Sequence, residues 1–232
     1  MTTLLVLGSG PNAIQSRNWP RAPFDRIVAI NNAWRVRPDW DFLIHPSDFA
    51  INRMPSKVAP EQRIVTAADY VPVQNTFGGF VYAGGTMAFT AGYWALGALA
   101  PTAMAFLGCD MIYPSTGHTH FYGTGTADPL RNDITLRSLT AKSARLMIKA
   151  AQRGCACVNL STENTQLIFP RSNFSALPGN PTTFDPAKVA KAEAEEARLG
   201  YMVLSGKYWK EEERFDAGAI DALDALWLEA AV

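Results

Sequence analysis

No excess of charge of either sign marks this sequence, which carries 21 Lys and Arg residues against 21 Asp and Glu residues in a chain of 232. Proteins that bind nucleic acid need clustered positive charge to neutralise phosphates. We find no basic stripe along the chain. The composition therefore predicts that nucleic acid is not a partner.

Cysteine is scarce, with Cys109, Cys155 and Cys157 as its three occurrences. An odd number in a chain of this length indicates reduced thiols and excludes a disulfide framework. The Cys-x-Cys pair lacks a second pair of ligands, which disfavours a zinc site. A chain this long can bury a core without disulfides or metals.

Long hydrophobic runs are also missing. The longest apolar stretch, from Thr86 to Leu107, is interrupted by glycines and by Pro101, so it indicates a buried helix followed by a strand. The N-terminal Met-Thr-Thr leads directly into a strand pattern, without the basic segment and cleavage site of a secretion signal. The sequence therefore predicts a cytoplasmic protein with no integral membrane segment.

What the sequence does contain is an alternation of short β-rich segments and helical segments. This order is typical of an α/β protein with a mostly parallel sheet and helices on both faces, a Rossmann-like fold. Most strand candidates are continuous apolar runs, as expected for strands covered on both faces. The predicted strands are Leu4–Leu7, Arg26–Ile30, Phe42–Ile44, Arg63–Thr66, Ala103–Leu107 and Ala156–Leu160.

Helices are predicted at Asn12–Arg17, Thr86–Leu99 and Asp133–Arg153. The last of these is followed by Gly154, and a glycine commonly terminates a helix at this position. With the strands, these helices predict that residues 1–175 form a Rossmann-like nucleotide-binding catalytic domain.

Residues 176–232 are predicted to form a helical C-terminal extension. Asp185 followed by Pro186 is a typical helix start. The mixed charges of Lys188–Arg198 predict a solvated helix that is not a binding surface. A final helix at about Asp216–Ala231 carries an apolar stripe, and we expect it to pack on the core or on a partner subunit of a homo-oligomer. The stripe consists of Ile220, Leu223 and Trp227.

Polar residues and glycines follow the predicted strands. Ligands of open parallel sheets bind beyond the carboxyl ends of the strands, so these positions are where function is expected. All three histidines of the chain lie in such segments. The candidates after the first, second, third and fifth strands are Gly8, Ser9 and Gly10, then Asn31 and Asn32, then His45 and Ser47, and finally Asp110.

The segment from Gly8 to Ala13 has the pattern G-x-G-x-x-A directly after a strand. Its glycines permit a tight turn, and the free N–H groups of the next helix can bind phosphate. A dinucleotide site would also need an acidic residue after the second strand, where Asn31 and Asn32 stand instead. Asparagine offers both a donor and an acceptor to a base or a ribose. The alternative is a tight strand–helix turn without a ligand.

The segment Gly84-Gly85-Thr86 opens the next predicted helix. Its dipole and free amides make it a second candidate anion site. The alternative is that Thr86 caps the helix and the glycines serve the turn.

Asp39-Trp40-Asp41 matches the D-x-D string with which metal-dependent glycosyltransferases hold a diphosphate. The string precedes its strand and does not follow it. We therefore expect it at the end of the sheet opposite the ligand crevice.

The segment from Gly108 to Gly125 is the richest in reactive side chains, namely Asp110, Tyr113, His118, His120 and Tyr122. A histidine in a crevice suits general-base work because its pKa lies near neutral pH. Two alternatives stay open: the His-x-His pair binds a metal with Asp110 or Asp128, or the histidines only hydrogen-bond the loop.

The succession of these motifs resembles the bacterial lipooligosaccharide sialyltransferases. It is also similar to a related group that includes archaeal 6-hydroxymethylpterin diphosphokinase-like proteins. The resemblance covers roughly Thr3 to Leu167, and it depends on the order and spacing of short motifs. They are LLVLGSGPNA, AINNAW, FLIHPSDF, AGGTMAF, FLGCDMIY, GHTHFYG and CVNLSTENTQL.

The resemblance implies a Rossmann-like domain of the metal-independent GT-A variant type and CMP-sialic acid as donor. It implies that Tyr113 holds the departing phosphate and that His118 or His120 is the general base. It assigns donor binding to Gly8, Ser9, Gly10, Asn31, Gly84, Gly85 and Thr86.

The sequence departs from the family pattern at several positions. Ser9 stands where the family has an asparagine, and His45 replaces another. Tyr122 is the candidate for a second phosphate-binding tyrosine. The insertion that binds the acceptor is also shorter.

These observations predict a metal-independent, glycosyltransferase-like enzyme that takes a nucleotide-activated sugar, with a CMP-linked sugar as the candidate, and needs no further cofactor. One alternative is a diphosphokinase-like phosphoryl transferase, with Mg²⁺ held by Asp110 and Asp128. The other is a nucleotide-binding module without catalysis.

Overall fold

A six-stranded, all-parallel sheet forms the centre of the protein, with strand order β4-β3-β2-β1-β5-β6. The structure is a computed structural model that describes residues 1–113, 117–124 and 131–231. It confirms the α/β, Rossmann-like arrangement and all six predicted strands. Their bounds are β1 Thr3–Leu7, β2 Arg26–Ile30, β3 Phe42–Ile44, β4 Arg63–Val65, β5 Ala103–Leu107 and β6 Ala156–Asn159.

Both faces of the sheet are covered, which explains why the strands are continuous apolar runs. Successive side chains of a strand point to opposite faces. In β1, Leu4 and Val6 enter one core cluster, whereas Leu5 and Leu7 enter the other. All four side chains are inaccessible to solvent.

α-Helices cover the face that receives Leu4 and Val6. The α-helices of the described residues are α1 Ala67–Asn75, α2 Phe80–Ala83, α3 Met87–Leu99, α4 Leu139–Ala151, α5 Pro186–Leu199 and α6 Ala217–Ala230. Among the described residues, none of the helices combines the length and the apolar character of a membrane span.

The opposite face is covered by 3₁₀ segments and loops, including Pro11–Asn18 and Asn31–Arg35. The helix predicted at Asn12–Arg17 is therefore present, but it is a 3₁₀ helix, Pro11–Asn18. Its sequence has no apolar stripe, and Asn and Ser side chains compete with helical hydrogen bonds of the backbone.

The predicted helix at Thr86–Leu99 is α3, and Thr86 is its cap. The predicted helix at Asp133–Arg153 splits into a 3₁₀ turn, Ile134–Leu136, and α4, which Ser138 caps. Neither α1 nor α2 was predicted from the sequence. A capping box of Thr66 and Asp69 starts α1, and this T-x-x-D signal was present in the sequence.

The C-terminal helices pack on the sheet-bearing part of the chain. The apolar stripe of α6 lies in a cluster with Val81 of α2 and Ile148 of α4, and its members Ile220, Leu223 and Trp227 are at most 1% exposed. The stripe of α6 was predicted to pack either on the core or on a partner subunit, and its burial is explained by packing on the core. The division at residue 175 stays a prediction.

A buried arginine joins α4 to α5. Arg145 of α4 donates from Nε to Oε1 of Glu196 at 2.6 Å and from Nη2 to Oε2 at 2.7 Å. It also donates to the Tyr93 hydroxyl at 2.8 Å, and Trp227 Nε1 donates to Glu196 at 2.8 Å. The prediction that Lys188–Arg198 forms only a solvated surface is therefore wrong at Glu196.

The three cysteines are free and buried, in agreement with the predicted reduced thiols. Burial raises the pKa of each thiol, for Cys155 to about 12. A thiol that stays protonated at neutral pH is a poor nucleophile and a poor metal ligand.

We predict that Glu196→Ala lowers the free energy of unfolding by about 3–5 kcal/mol, because it leaves the guanidinium of Arg145 buried without its partner. The matched control is Glu195→Ala in the same helix, where Glu195 pairs with the exposed Arg198. Solvent screens exposed pairs, so this substitution should cost much less. Urea denaturation of both variants measures the difference, and equal losses would contradict the role of the buried pair.

Candidate functional site

A crevice opens between β1 and β5, at their carboxyl ends. These strands are neighbours in the sheet, but the chain leaves β1 toward β2 on one side and β5 toward β6 on the other. The connections therefore diverge, as at the ligand sites of other open parallel sheets. A cavity of about 350 Å³ lies here.

Most of the predicted site residues line this cavity. They come from the ends of β1, β2 and β5 and from the start of α3. Those that line it are Gly8, Ser9, Gly10, Asn31, Asn32, Thr86, Asp110, Tyr113, His120 and Tyr122, whereas Gly84, Gly85, His45, Ser47 and His118 are not part of the lining.

The two glycines of the first turn are needed for close packing of the turn against β5. A Cβ on Gly8 would overlap the carbonyl oxygen of Gly108, and a Cβ on Gly10 would lie 2.9 Å from the same oxygen. The N–H of Gly8 donates to Leu107 O at 2.8 Å, and that of Gly10 donates to Gly108 O at 2.9 Å. These two amides are thus engaged within the protein.

The first turn also lacks a regular helix N-terminus. Pro11 occupies the first position of the 3₁₀ segment and has no N–H to offer. A phosphate site made of free amides at this helix start is therefore weaker than the sequence pattern indicates. The side chains around the cavity must supply more of any ligand binding.

Ser9 connects the first turn to the histidine loop. Its carbonyl oxygen accepts a hydrogen bond from Phe121 N at 3.0 Å, and its hydroxyl donates to Ile30 O at 3.4 Å. The first contact holds the loop over the end of β1. His120 and Gly123 exchange backbone hydrogen bonds of 3.0 and 3.1 Å, which close a tight turn in that loop.

Asn31 and Asn32 line the cavity and carry buried acceptors that lack a partner among the described residues. Asn31 has a φ of 53°, in the left-handed region that asparagine tolerates better than most residues. The Oδ1 atoms of both residues are buried and accept no hydrogen bond from the described residues. A buried, unpaired polar group costs about 1–3 kcal/mol, which a ligand with N–H or O–H donors can offset.

The carboxylate of Asp110 is held by neighbouring side chains. Its Oδ2 accepts from Asn12 Nδ2 at 2.8 Å and from the Ser161 hydroxyl at 2.7 Å, and its Oδ1 accepts from Asn159 Nδ2 at 3.5 Å. These contacts tie the ends of β1, β5 and β6 together. Asp110 therefore has a structural role at the wall of the cavity.

Metal-binding clusters are not found among the described residues, where no group of three or more His, Cys, Asp or Glu side chains is suitably placed. Asp128, the second ligand of the proposed Mg²⁺ site, lies outside the described residues. The D-x-D string lies outside the cavity lining, as expected from its place before β3. Its Asp39 and Asp41 pair with Arg37 and Arg21, and the hydrogen bond from Arg37 lowers the pKa of Asp39 despite partial burial.

His120 faces the cavity between two tyrosines. Its ring stacks on Tyr122, with 4.9 Å between centroids and 21° between planes, and lies 6.1 Å from the ring of Tyr113. Its Nδ1 is 2.9 Å from the hydroxyl of Thr119, which is buried. This contact orients the ring. His118, in contrast, is exposed to solvent.

His45 and Ser47 serve the loop after β3. His45 Nδ1 lies 2.8 Å from the Pro46 carbonyl, and its ring packs on Phe49. Burial raises the pKa of Tyr70, and a hydrogen bond with the Ser47 side chain partly opposes this effect. Both predicted crevice residues thus act next to the cavity and outside its lining.

The Gly84-Gly85 turn is packed against neighbouring side chains. A Cβ on Gly84 would lie 2.7 Å from the Phe89 ring, and one on Gly85 would lie 2.9 Å from the Tyr208 hydroxyl. Thr86 Oγ1 accepts from Phe89 N at 3.3 Å and so caps α3. Helix capping by Thr86 and turn formation by Gly84 and Gly85 therefore account for this segment. Thr86 also lines the cavity.

A polar cluster beside Gly85 was not predicted from the sequence. Asp133 accepts hydrogen bonds of 2.8 Å from Arg131 Nε, from Thr135 N and from the Tyr208 hydroxyl. Burial raises the pKa of the Asp133 carboxyl, but these hydrogen bonds outweigh it and lower the pKa overall. Only the tertiary contact with Tyr208, 75 residues away, reveals this cluster.

Arg53, Asp48 and Phe49 also line the cavity. They lie in the loop after β3, where the sequence analysis selected His45 and Ser47 instead. Their position after a strand was the available signal, but a strand end does not reveal which loop residues line a cavity.

Comparisons with known proteins give no relative. No protein-family model, no curated protein and no solved structure matches the chain. The resemblance to sialyltransferases therefore stays a prediction, and the cavity itself is the basis for inferring function.

We predict that Gly8→Ala lowers the free energy of unfolding by about 1–3 kcal/mol or more, because the added methyl group overlaps Gly108. The control is Gly218→Ala in α6, where the nearest atom to the new Cβ is Asp216 Oδ1 at 3.3 Å. Alanine is favoured over glycine inside a helix by about 0.5–1 kcal/mol. Urea unfolding compares the two, and a Gly8→Ala protein as stable as wild type would refute the close approach.

Proposed function

We propose that this protein is a metal-independent, glycosyltransferase-like enzyme whose cavity binds a nucleotide-activated sugar. The observation that carries the proposal is the meeting of Ser9, Asn31 and His120 in one cavity at the switch point of the sheet. Polar side chains from different strand ends give the small, convergent set of groups that ligand pockets use for orientation. The cavity also falls within the usual size range of such pockets, about 300–1,000 Å³.

The nucleotide part of the donor binds at Asn31 and Asn32. Their buried Oδ1 atoms have no partners among the described residues. A nucleoside presents ribose hydroxyls and, in cytosine or adenine, an exocyclic amine, all of which donate hydrogen bonds. Such a ligand would satisfy acceptors that the protein leaves unpaired.

His120 acts as the general base. Its imidazole accepts the proton of the acceptor hydroxyl, and the oxygen of that hydroxyl attacks the anomeric carbon of the donor. The bond between this carbon and the phosphate oxygen breaks, and its electron pair leaves with the nucleotide. The Tyr113 hydroxyl donates a hydrogen bond to the departing phosphate and so stabilises the negative charge that develops on it.

We predict that a nucleotide stabilises the protein through Asn31. At one hundred times its Kd, a ligand adds about 2.7 kcal/mol to the free energy of unfolding. Thermal shifts with CMP, CDP, UDP, GDP, ATP and NAD identify the nucleotide, and cytidine nucleotides are expected to give the largest shift. Asn31→Gly keeps the left-handed backbone but removes the amide, so it should abolish the shift while leaving the free protein folded.

The control for this substitution is Ala100→Gly, a second left-handed residue with a φ of 46° that lies outside the cavity lining. It should retain the full nucleotide shift. A panel without any shift would contradict the proposal. Stabilisation by a nucleoside triphosphate only with Mg²⁺, abolished by a chelator, would favour a diphosphokinase-like phosphoryl transferase.

We predict that His120→Ala lowers turnover of the matching nucleotide sugar by about 10²–10⁴-fold, the usual contribution of a general base. His118→Ala is the control, because His118 is exposed and outside the cavity lining. Release of the nucleotide product measures both. If neither substitution changes the rate, the mechanism is wrong, and if nucleotide binds but no turnover occurs, the protein is a binding module.

A further inference from the structure

Arg53 is a cation at the cavity that no part of the proposed mechanism uses. It ends the 3₁₀ turn Ile51–Arg53 in the loop after β3. Among the described residues that line the cavity, it is the one Lys or Arg side chain. The loop thus brings a single positive charge to a site lined otherwise by neutral groups and two carboxylates.

The backbone of Arg53 is held in place from two sides. Its N–H donates to Ala50 O at 2.9 Å, and its carbonyl oxygen accepts from Trp34 Nε1 at 3.0 Å. Trp34 belongs to the segment that follows β2, next to Asn32. These contacts fix the Arg53 backbone relative to Asn31 and Asn32 in the cavity lining.

The guanidinium of Arg53 makes no hydrogen bond, ion pair or ring contact with the described residues. Neither cavity carboxylate neutralises it. Asp48 forms no ion pair with the Arg53 guanidinium. Asp110 accepts hydrogen bonds from Asn12 and Ser161 instead. Most arginines elsewhere in the described chain, such as Arg37 and Arg145, have carboxylate partners.

We propose that Arg53 binds the phosphate of the nucleotide. This inference rests on the proposed function and adds a residue that selects an anionic ligand. The planar guanidinium donates two parallel hydrogen bonds to phosphate oxygens, a geometry that a lysine ammonium does not reproduce. A second anion of the donor, such as a sugar carboxylate, is the other source of negative charge, and the experiment separates the two.

The test measures affinity by titration calorimetry for CMP, UMP, AMP and GMP, each beside its uncharged nucleoside. For the nucleotide that binds wild type best, Arg53→Gln should weaken binding by about tenfold or more, because hydrogen bonds to charged groups are among the strongest. Binding of the nucleoside should stay unchanged. Arg53→Lys should recover only part of the loss.

The matched control is Arg17→Gln, which removes an exposed arginine outside the cavity lining and should leave both affinities unchanged. Equal affinity of wild type and Arg53→Gln for the monophosphate would overturn the inference while leaving the proposed function intact. Equal weakening of nucleotide and nucleoside would also overturn it, since the effect would not come from the phosphate. If the wild type binds none of these ligands, both proposals fail.

Discussion

The close approach of two backbone turns determines the geometry of this protein. The turn after β1 packs against the turn after β5 at a distance that leaves no room for a side chain on Gly8 or Gly10. Their N–H groups donate to the backbone at residues 107 and 108. The chain departs in opposite directions from these two strands. The crevice therefore lies directly above the place where the two turns contact each other. The cavity is a consequence of this packing.

The polar groups around the crevice divide into those that hold it together and those that remain for a ligand. Asp110 bonds to Asn12 and Ser161, so it joins three strand ends. Asn32 keeps a buried acceptor without a partner among the described residues. His120 is oriented by the Thr119 hydroxyl and lines the cavity. The surrounding polar groups are thus already hydrogen-bonded, and unpaired groups remain for a ligand. Such a site is organised before its ligand binds.

The C-terminal helices are part of the same core. Their attachment uses buried charges: Arg145 meets Glu196, and Lys142 meets Asp224 at 2.7 Å. Burial raises the pKa of Asp224, although the Lys142 charge opposes this. Such pairs need correct geometry to offset their loss of hydration, so they favour one way of docking the helices. Tyr208 extends this attachment to the polar cluster beside the cavity.

The six strands, the α/β class and the end of the sheet where polar residues gather could all be predicted from the sequence. These features follow from local patterns, since a continuous apolar run predicts a buried strand wherever it lies in the chain. The packing of the loops places His120 and Arg53, but not His118, in the lining of the cavity, and it engages Asp110 with Asn12. Each of these depends on contacts between residues far apart in sequence. Such contacts are set by how the loops pack, and no short motif records that.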